Sequence, residues 1–208
     1  MKKVLAVLAI LILSLAVLGT QAFAVDFTVS ATIPSATGVS ITATRNQIVN
    51  GTEQFGPQVT AFDFDPMTLD SVFGIYRSKY FFAIDVGATG GAGSPDVSVE
   101  YSNESNPAGQ TTGLGAKATT TFSLVSGGPA PTDQSEAVIA SLGTKLLSQL
   151  AGGLAIDESL QAGGFLRMRV GIYDGANAAL NTAGGEPFTN GDIAGDYSGT
   201  FTVTATVD

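Results

Sequence analysis

The chain has 208 residues with nine basic and 18 acidic side chains, a formal net charge of −9, and no Cys, His or Trp. Without thiols or imidazoles it has no disulfide, no thiolate nucleophile, no His-based triad, no zinc site built on those ligands and no proton shuttle near neutral pH. The acidic excess repels phosphate backbones, so nucleic acid is not an expected partner.

The amino-terminal segment has the layout of an export leader. Lys2 and Lys3 precede an apolar run over residues 4–18, broken only by Ser14, and Ala22-Phe23-Ala24 supplies the small residues of a cleavage site. This predicts a signal peptide over residues 1–24, cut after Ala24. The alternative is a retained anchor, for which about 15 apolar residues fall short of the ~20 that span a bilayer. No later stretch reaches transmembrane length, and no membrane association is expected after cleavage. Taking 24 from 208 leaves 184 residues, and losing both lysines moves the formal charge from −9 to −11. The expectation is one secreted domain over residues 25–208, passing through a periplasm to the cell surface or the medium.

Directly behind the leader, Val25, Phe27, Val29, Ala31 and Ile33 alternate with polar residues, and Pro34 ends the run. Alternation of period two places the apolar side chains on one face of a half-buried strand. Further extended runs follow over residues 39–44, 59–64, 97–101, 119–125 and 165–173, each bounded by Gly, Pro, Asn or Ser. Residues 79–86 are denser in apolar side chains, as suits a strand covered on both faces. Over residues 133–150, Asp133 and Glu136 have capping-box spacing and leucines recur near helical period, which predicts a short helix across one end. Gly143 weakens that helix, and a helix followed by a strand near residues 146–156 is the alternative. The carboxy-terminal run Phe201, Val203, Ala205, Val207 alternates like the first strand, with Tyr197 extending the same face. The sum is an all-β fold, a sandwich of roughly seven to nine strands with one short helix.

No constellation carries catalysis. Asp63, Asp65, Asp157 and Glu158 are the nearest candidates for a carboxylate pair, but Asp63 and Asp65 alternate with Phe62 and Phe64 as a wet strand face would. Asp174-Gly175-Ala176-Asn177 and Asn190-Gly191-Asp192 are oxygen-rich turns without the ligand spacing of a calcium loop. Gly90-Gly91-Ala92-Gly93 lacks the helix and basic residue of a phosphate loop. The sequons at Asn50 and Asn103 matter only in a host that reads them. The pairs Arg77 with Lys79 and Arg167 with Arg169 read as solvated strand faces or subunit ion pairs. The expectation is no enzyme, no catalytic or metal residues and no cofactor.

Between the leader and the ending Gly195-Asp196-Tyr197-Ser198-Gly199-Thr200-Phe201-Thr202-Val203-Thr204, the Thr/Val-rich first strand and the Cys-free body resemble bacterial fimbrial subunits of the disulfide-free colonisation-factor type. The resemblance is confined to the two ends. It implies an immunoglobulin-like antiparallel sandwich whose first strand, residues 25–33, completes a neighbouring subunit. It also implies homo-oligomers or filaments and a periplasmic chaperone. On that reading Val25, Phe27, Val29, Ala31 and Ile33 form the donated face, and the groove lies beside Tyr197, Phe201, Val203, Ala205 and Val207. The alternative is a monomeric exported adhesin, a glycan- or matrix-binding domain using the loops over residues 87–95 and 103–115.

Overall fold

The structure, a computed structural model, describes residues 27–32, 38–89, 95–126, 137–156, 164–173 and 185–206; in the first of these segments only the Val29 side chain is described. The chain is an all-β sandwich with one short helix, α1 (Leu114–Lys117).

One sheet has five strands in the order β11 (Leu154–Ile156), β8 (Asp96–Ser105), β14 (Tyr197–Thr206), β1 (Phe27–Thr32) and β4 (Ala61–Asp63). The facing sheet has six, in the order β10 (Val138–Leu146), β9 (Ala118–Ser126), β12 (Gly164–Ile172), β7 (Tyr80–Ala88), β2 (Val39–Val49) and β3 (Thr52–Gln58). A small third sheet, in the order β13 (Phe188–Thr189), β6 (Ile75–Ser78) and β5 (Met67–Asp70), closes one end.

Pairing is antiparallel throughout these sheets except between β1 and β14, which run parallel from Phe27 opposite Tyr197 to Thr32 opposite Thr202. A parallel partner cannot be reached by a tight turn, so the first and last strands meet only through the whole intervening fold.

Period-two alternation builds the core. In β14 the odd positions Tyr197, Gly199, Phe201, Val203 and Ala205 are buried, and in β7 and β12 the even positions Phe82, Ile84, Val86, Leu166, Met168 and Val170 face them. Phe62 of β4 stacks on Phe82 of the opposite sheet at 4.7 Å between ring centroids, and Phe64 meets Phe82 edge-on at 5.1 Å. These rings tie the two layers together. As the apolar density of residues 79–86 predicts, Phe81 through Gly87 are all buried. Gly199 allows a close approach: a side chain there would collide with the Tyr101 ring across the β14–β8 pair.

The helix expected over residues 133–150 is not what forms in its described part. Residues 138–146 are the edge strand β10, followed by a single 3₁₀ turn at Leu147–Leu150 and the strand β11. Gly143 sits at φ 96°, a conformation that interrupts a helix but fits the register shift between Ser141 and Gly143. The proposed cap at Asp133 and Glu136 lies outside the described residues. Leu142 packs on the core from the strand, and Leu147 and Leu150 of the 3₁₀ turn are buried in it, so the leucine spacing serves a strand followed by a turn.

Candidate functional site: the first-strand slot and the loop end

Two places concentrate the features that function requires. The first is the slot holding β1. On one side β14 pairs with it over six residues, and on the other β4 pairs antiparallel through Thr28 with Asp63, Val29 with Phe62 and Ser30 with Ala61. Val29 is 0% exposed and belongs to the main core, beside the odd-numbered face of β14. Of the donated-face residues, Phe27, Val29 and Ala31 lie on β1, whereas Val25 and Ile33 fall outside the described residues. Tyr197, Phe201, Val203 and Ala205 lie on the neighbouring strand β14, all buried, and Val207 is likewise outside the described residues. The slot belongs to the same chain that fills it.

The second place is the end of the sandwich where Phe27, Tyr197, Tyr80 and Ile172 lie, hereafter the loop end. The segment over residues 106–113, α1, the 3₁₀ turn and residues 185–196 cluster there. Lys117, buried at the end of α1, places Nζ 2.8 Å from Asp192 Oδ1 and 3.3 Å from the Pro187 carbonyl, over the Phe188 ring. Gln110 Nε2 donates to the same Asp192 oxygen at 2.8 Å, and its Oε1 accepts the Ile193 amide at 3.0 Å. Asp192 Oδ2 accepts the Thr189 amide at 2.7 Å. Tyr197 donates its hydroxyl to the Ile193 carbonyl at 2.8 Å; burial first, and the Asp192 charge second, push its ionisation up to about 12.

This network walls a cavity of about 500 Å³ lined by Gln110, Thr112, Lys117, Glu186, Thr189 and Asp192 among others. Nearby, Glu104 at the end of β8 accepts the Gly115 amide at 2.5 Å and so fixes the start of α1. Burial foremost, with the Glu104 carboxylate adding to it, raises the Tyr101 ionisation far above its ordinary value.

The remaining sequence candidates fall into place one by one. Asp63 is exposed and Phe62 and Phe64 are fully buried, the wet and dry faces that alternation predicts. Asp157, Glu158 and the turn over residues 174–177 lie outside the described residues. Asn190-Gly191-Asp192 spends its oxygens within the chain, Asn190 Oδ1 on the Tyr76 hydroxyl at 3.0 Å and Asp192 as above. Among the described residues no group of three or more Asp or Glu is arranged to hold a metal ion.

Of the basic pairs, Lys79 is exposed as expected of a solvated face, whereas Arg77, Arg167 and Arg169 pair with acids of the same chain. Arg167 is 1% exposed, makes two 2.9 Å bonds to the Asp85 carboxylate, and lies between the rings of Phe55 and Phe165. Arg169 grips Glu53 with two bonds at 2.8 and 3.1 Å, and Arg77 bonds Asp70 at 2.9 Å. The six-stranded sheet brings Asp85 and Glu53 from distant sequence within reach of Arg167 and Arg169, while Arg77 meets Asp70 within the β5–β6 hairpin. The signal that could have found the Arg167–Asp85 pair is Asp85 as the one charged residue among the apolar residues 80–86, since a buried charge requires a partner.

A scan against protein-family models, a search of curated proteins and a search of solved structures each return no significant match.

Proposed function

We propose that the chain is a secreted structural subunit of a cell surface, joining copies by exchange of its first strand. The observation that carries this reading is the position of β1. It is the first strand, lodged between β14 and β4, and only residues 33–38 connect it to β2. Withdrawn, it uncovers the flank of β14, a ten-residue strand, and the core around Phe62 and Phe201.

A copy that loses β1 presents a slot of the same shape that every other copy's β1 already fits. Exchange therefore conserves every strand pairing and every buried side chain, and its equilibrium is set by concentration and by the connecting segment. The open form is unfavourable because Val29 and the slot lining become wet. Strand transfer is therefore favoured where copies are crowded, as on a surface or with a chaperone holding the slot.

A disulfide test suits this Cys-free chain. Thr28 and Asp63 are opposed between β1 and β4, so Thr28→Cys combined with Asp63→Cys bonds within one copy when β1 stays home and between copies when it is exchanged. Concentrated chain starting at Val25 is expected to give a ladder of covalent multimers on a non-reducing gel. Monomer alone at every concentration, with the internal bond formed, would sink the reading.

The loop-end cavity supports a second reading, an exported binding domain. The expected loop over residues 103–115 contributes Gly109, Gln110, Thr111 and Thr112, Lys117 and residues from the 186–193 segment form the rest, and the 500 Å³ lies within the size range of ligand sites. Lys117 and Asp192 neutralise each other, leaving hydroxyls, an amide and Glu186 as a surface for polyhydroxylated ligands. Glycan-array binding that is lost in Gln110→Ala would favour this reading.

A further inference from the structure

Seven large apolar side chains stand exposed among the described residues, and five of them, Ile48, Leu69, Val72, Phe73 and Ile193, belong to the loop end. Ile48 precedes the β2–β3 turn just beyond the Gln47–Tyr80 pair, and Ile193 borders the cavity. Leu69, Val72 and Phe73 belong to the β5–β6 hairpin, which leaves the sandwich after β4 and returns at Tyr80. Val138 and Ile139 are at the opposite end, where β10 starts opposite Val125.

Val72 and Phe73 are the extremes, 83% and 69% exposed at the tip of that hairpin. The tip is held in shape. Asp70 Oδ1 accepts the Val72 and Phe73 amides at 3.0 and 3.4 Å, and the Gly74 amide bonds the Asp70 carbonyl at 2.8 Å. Arg77 neutralises Asp70 and sets its guanidinium 5.6 Å from the Phe73 ring. At the hairpin's base the Ser78 hydroxyl donates to the Phe64 carbonyl at 2.6 Å. The result is a firm apolar knuckle whose neighbouring charges cancel.

The same end holds the start of β1, where Phe27 lies opposite Tyr197. The apolar run of the leader ends at Leu18. Nine residue steps separate it from Phe27, a reach of at most about 30 Å. A leader lodged in a bilayer therefore holds the loop end within that distance of lipid.

We propose that, while the leader is attached, the loop end rests on the lipid surface through the Val72–Phe73 knuckle. The surface it suits is a zwitterionic one, since a net charge of −9 opposes anionic headgroups and the Asp70 and Arg77 charges beside the knuckle cancel. Tethering supplies the local concentration that two side chains alone do not, and an aromatic ring with an aliphatic neighbour fits the interface between headgroups and acyl chains. The inference rests on the leader and is independent of strand exchange.

The chain's lack of Trp makes the test clean. Full-length chain carrying Phe73→Trp, and separately Val138→Trp, is reconstituted with phosphatidylcholine vesicles containing brominated acyl chains. Flotation of the vesicles reports leader insertion independently of the knuckle. The expected result is floating chain in which the Phe73→Trp fluorophore is blue-shifted and quenched severalfold more than that of Val138→Trp. Floating chain with equal quenching of the two overturns the proposal, and a blue shift without quenching does too, assigning the knuckle to a second copy or another protein. Failure to float overturns the proposal together with the leader it rests on.

Discussion

Arg167 and Asp85 show how a single side-chain choice shapes the layer outside the main core. Burial holds the Asp85 carboxyl above its ordinary range, and the Arg167 hydrogen bonds offset only part of that rise. The pair is consequently worth little over an apolar replacement, yet either member alone is a buried, unmatched charge or an unanswered fork of donors. Arg167→Met is expected to cost about 3–5 kcal/mol, while combining it with Asp85→Leu restores most of that loss. Urea unfolding of both single variants and the double variant measures this; additive losses would refute the account. Sequence reading places Arg167 with Arg169 on a solvated face or in a subunit ion pair and does not single out Asp85. It does not show that Arg167 and Asp85 are partners, because the 82 positions between them are bridged only when β7 and β12 pair.

At the level of elements, β10 illustrates how sequence periods mislead at an edge. Leucines spaced for a helix and a glycine in the middle compete locally, and the free edge of β9 decides the contest by offering a ladder of hydrogen bonds. Gly143 then serves the strand, since its φ of 96° sits at a register shift, and a Cβ there would meet no other atom within 4 Å. Gly143→Val is accordingly strained through the backbone alone, and a loss of about 1–2 kcal/mol is expected, larger than for Gly143→Ala. Comparing the two urea midpoints tests the point, and a stabilised valine variant would contradict the strand geometry. β1 presents the opposite case: its alternation was plain in sequence and it forms a strand, but alternation is identical whichever neighbour covers the apolar face.

The whole molecule carries charge of one sign, and any assembly of copies must work against it. A copy without residues 1–24 bears −11 where the full chain bears −9, so repulsion between copies extends over the screening length, about 30 Å at 0.01 M salt and about 8 Å at 0.15 M. Self-association of the chain starting at Val25 is therefore expected to strengthen severalfold across that range, as read by sedimentation velocity at fixed protein concentration. Weakening with salt would show that ion pairs, rather than strand exchange and apolar contact, hold copies together. What the sequence determined by itself was local and compositional: which runs are extended, which of their faces are apolar, and which chemistries the missing Cys and His forbid, because each follows from neighbouring residues or a count. Only the tertiary structure decided that the first and last strands lie side by side and parallel, that Arg167 meets Asp85, and that five of the seven exposed large apolar residues among the described residues gather at the end where β1 starts. Those facts depend on which distant edges pair once the two sheets close over a shared core, and no local pattern encodes that choice.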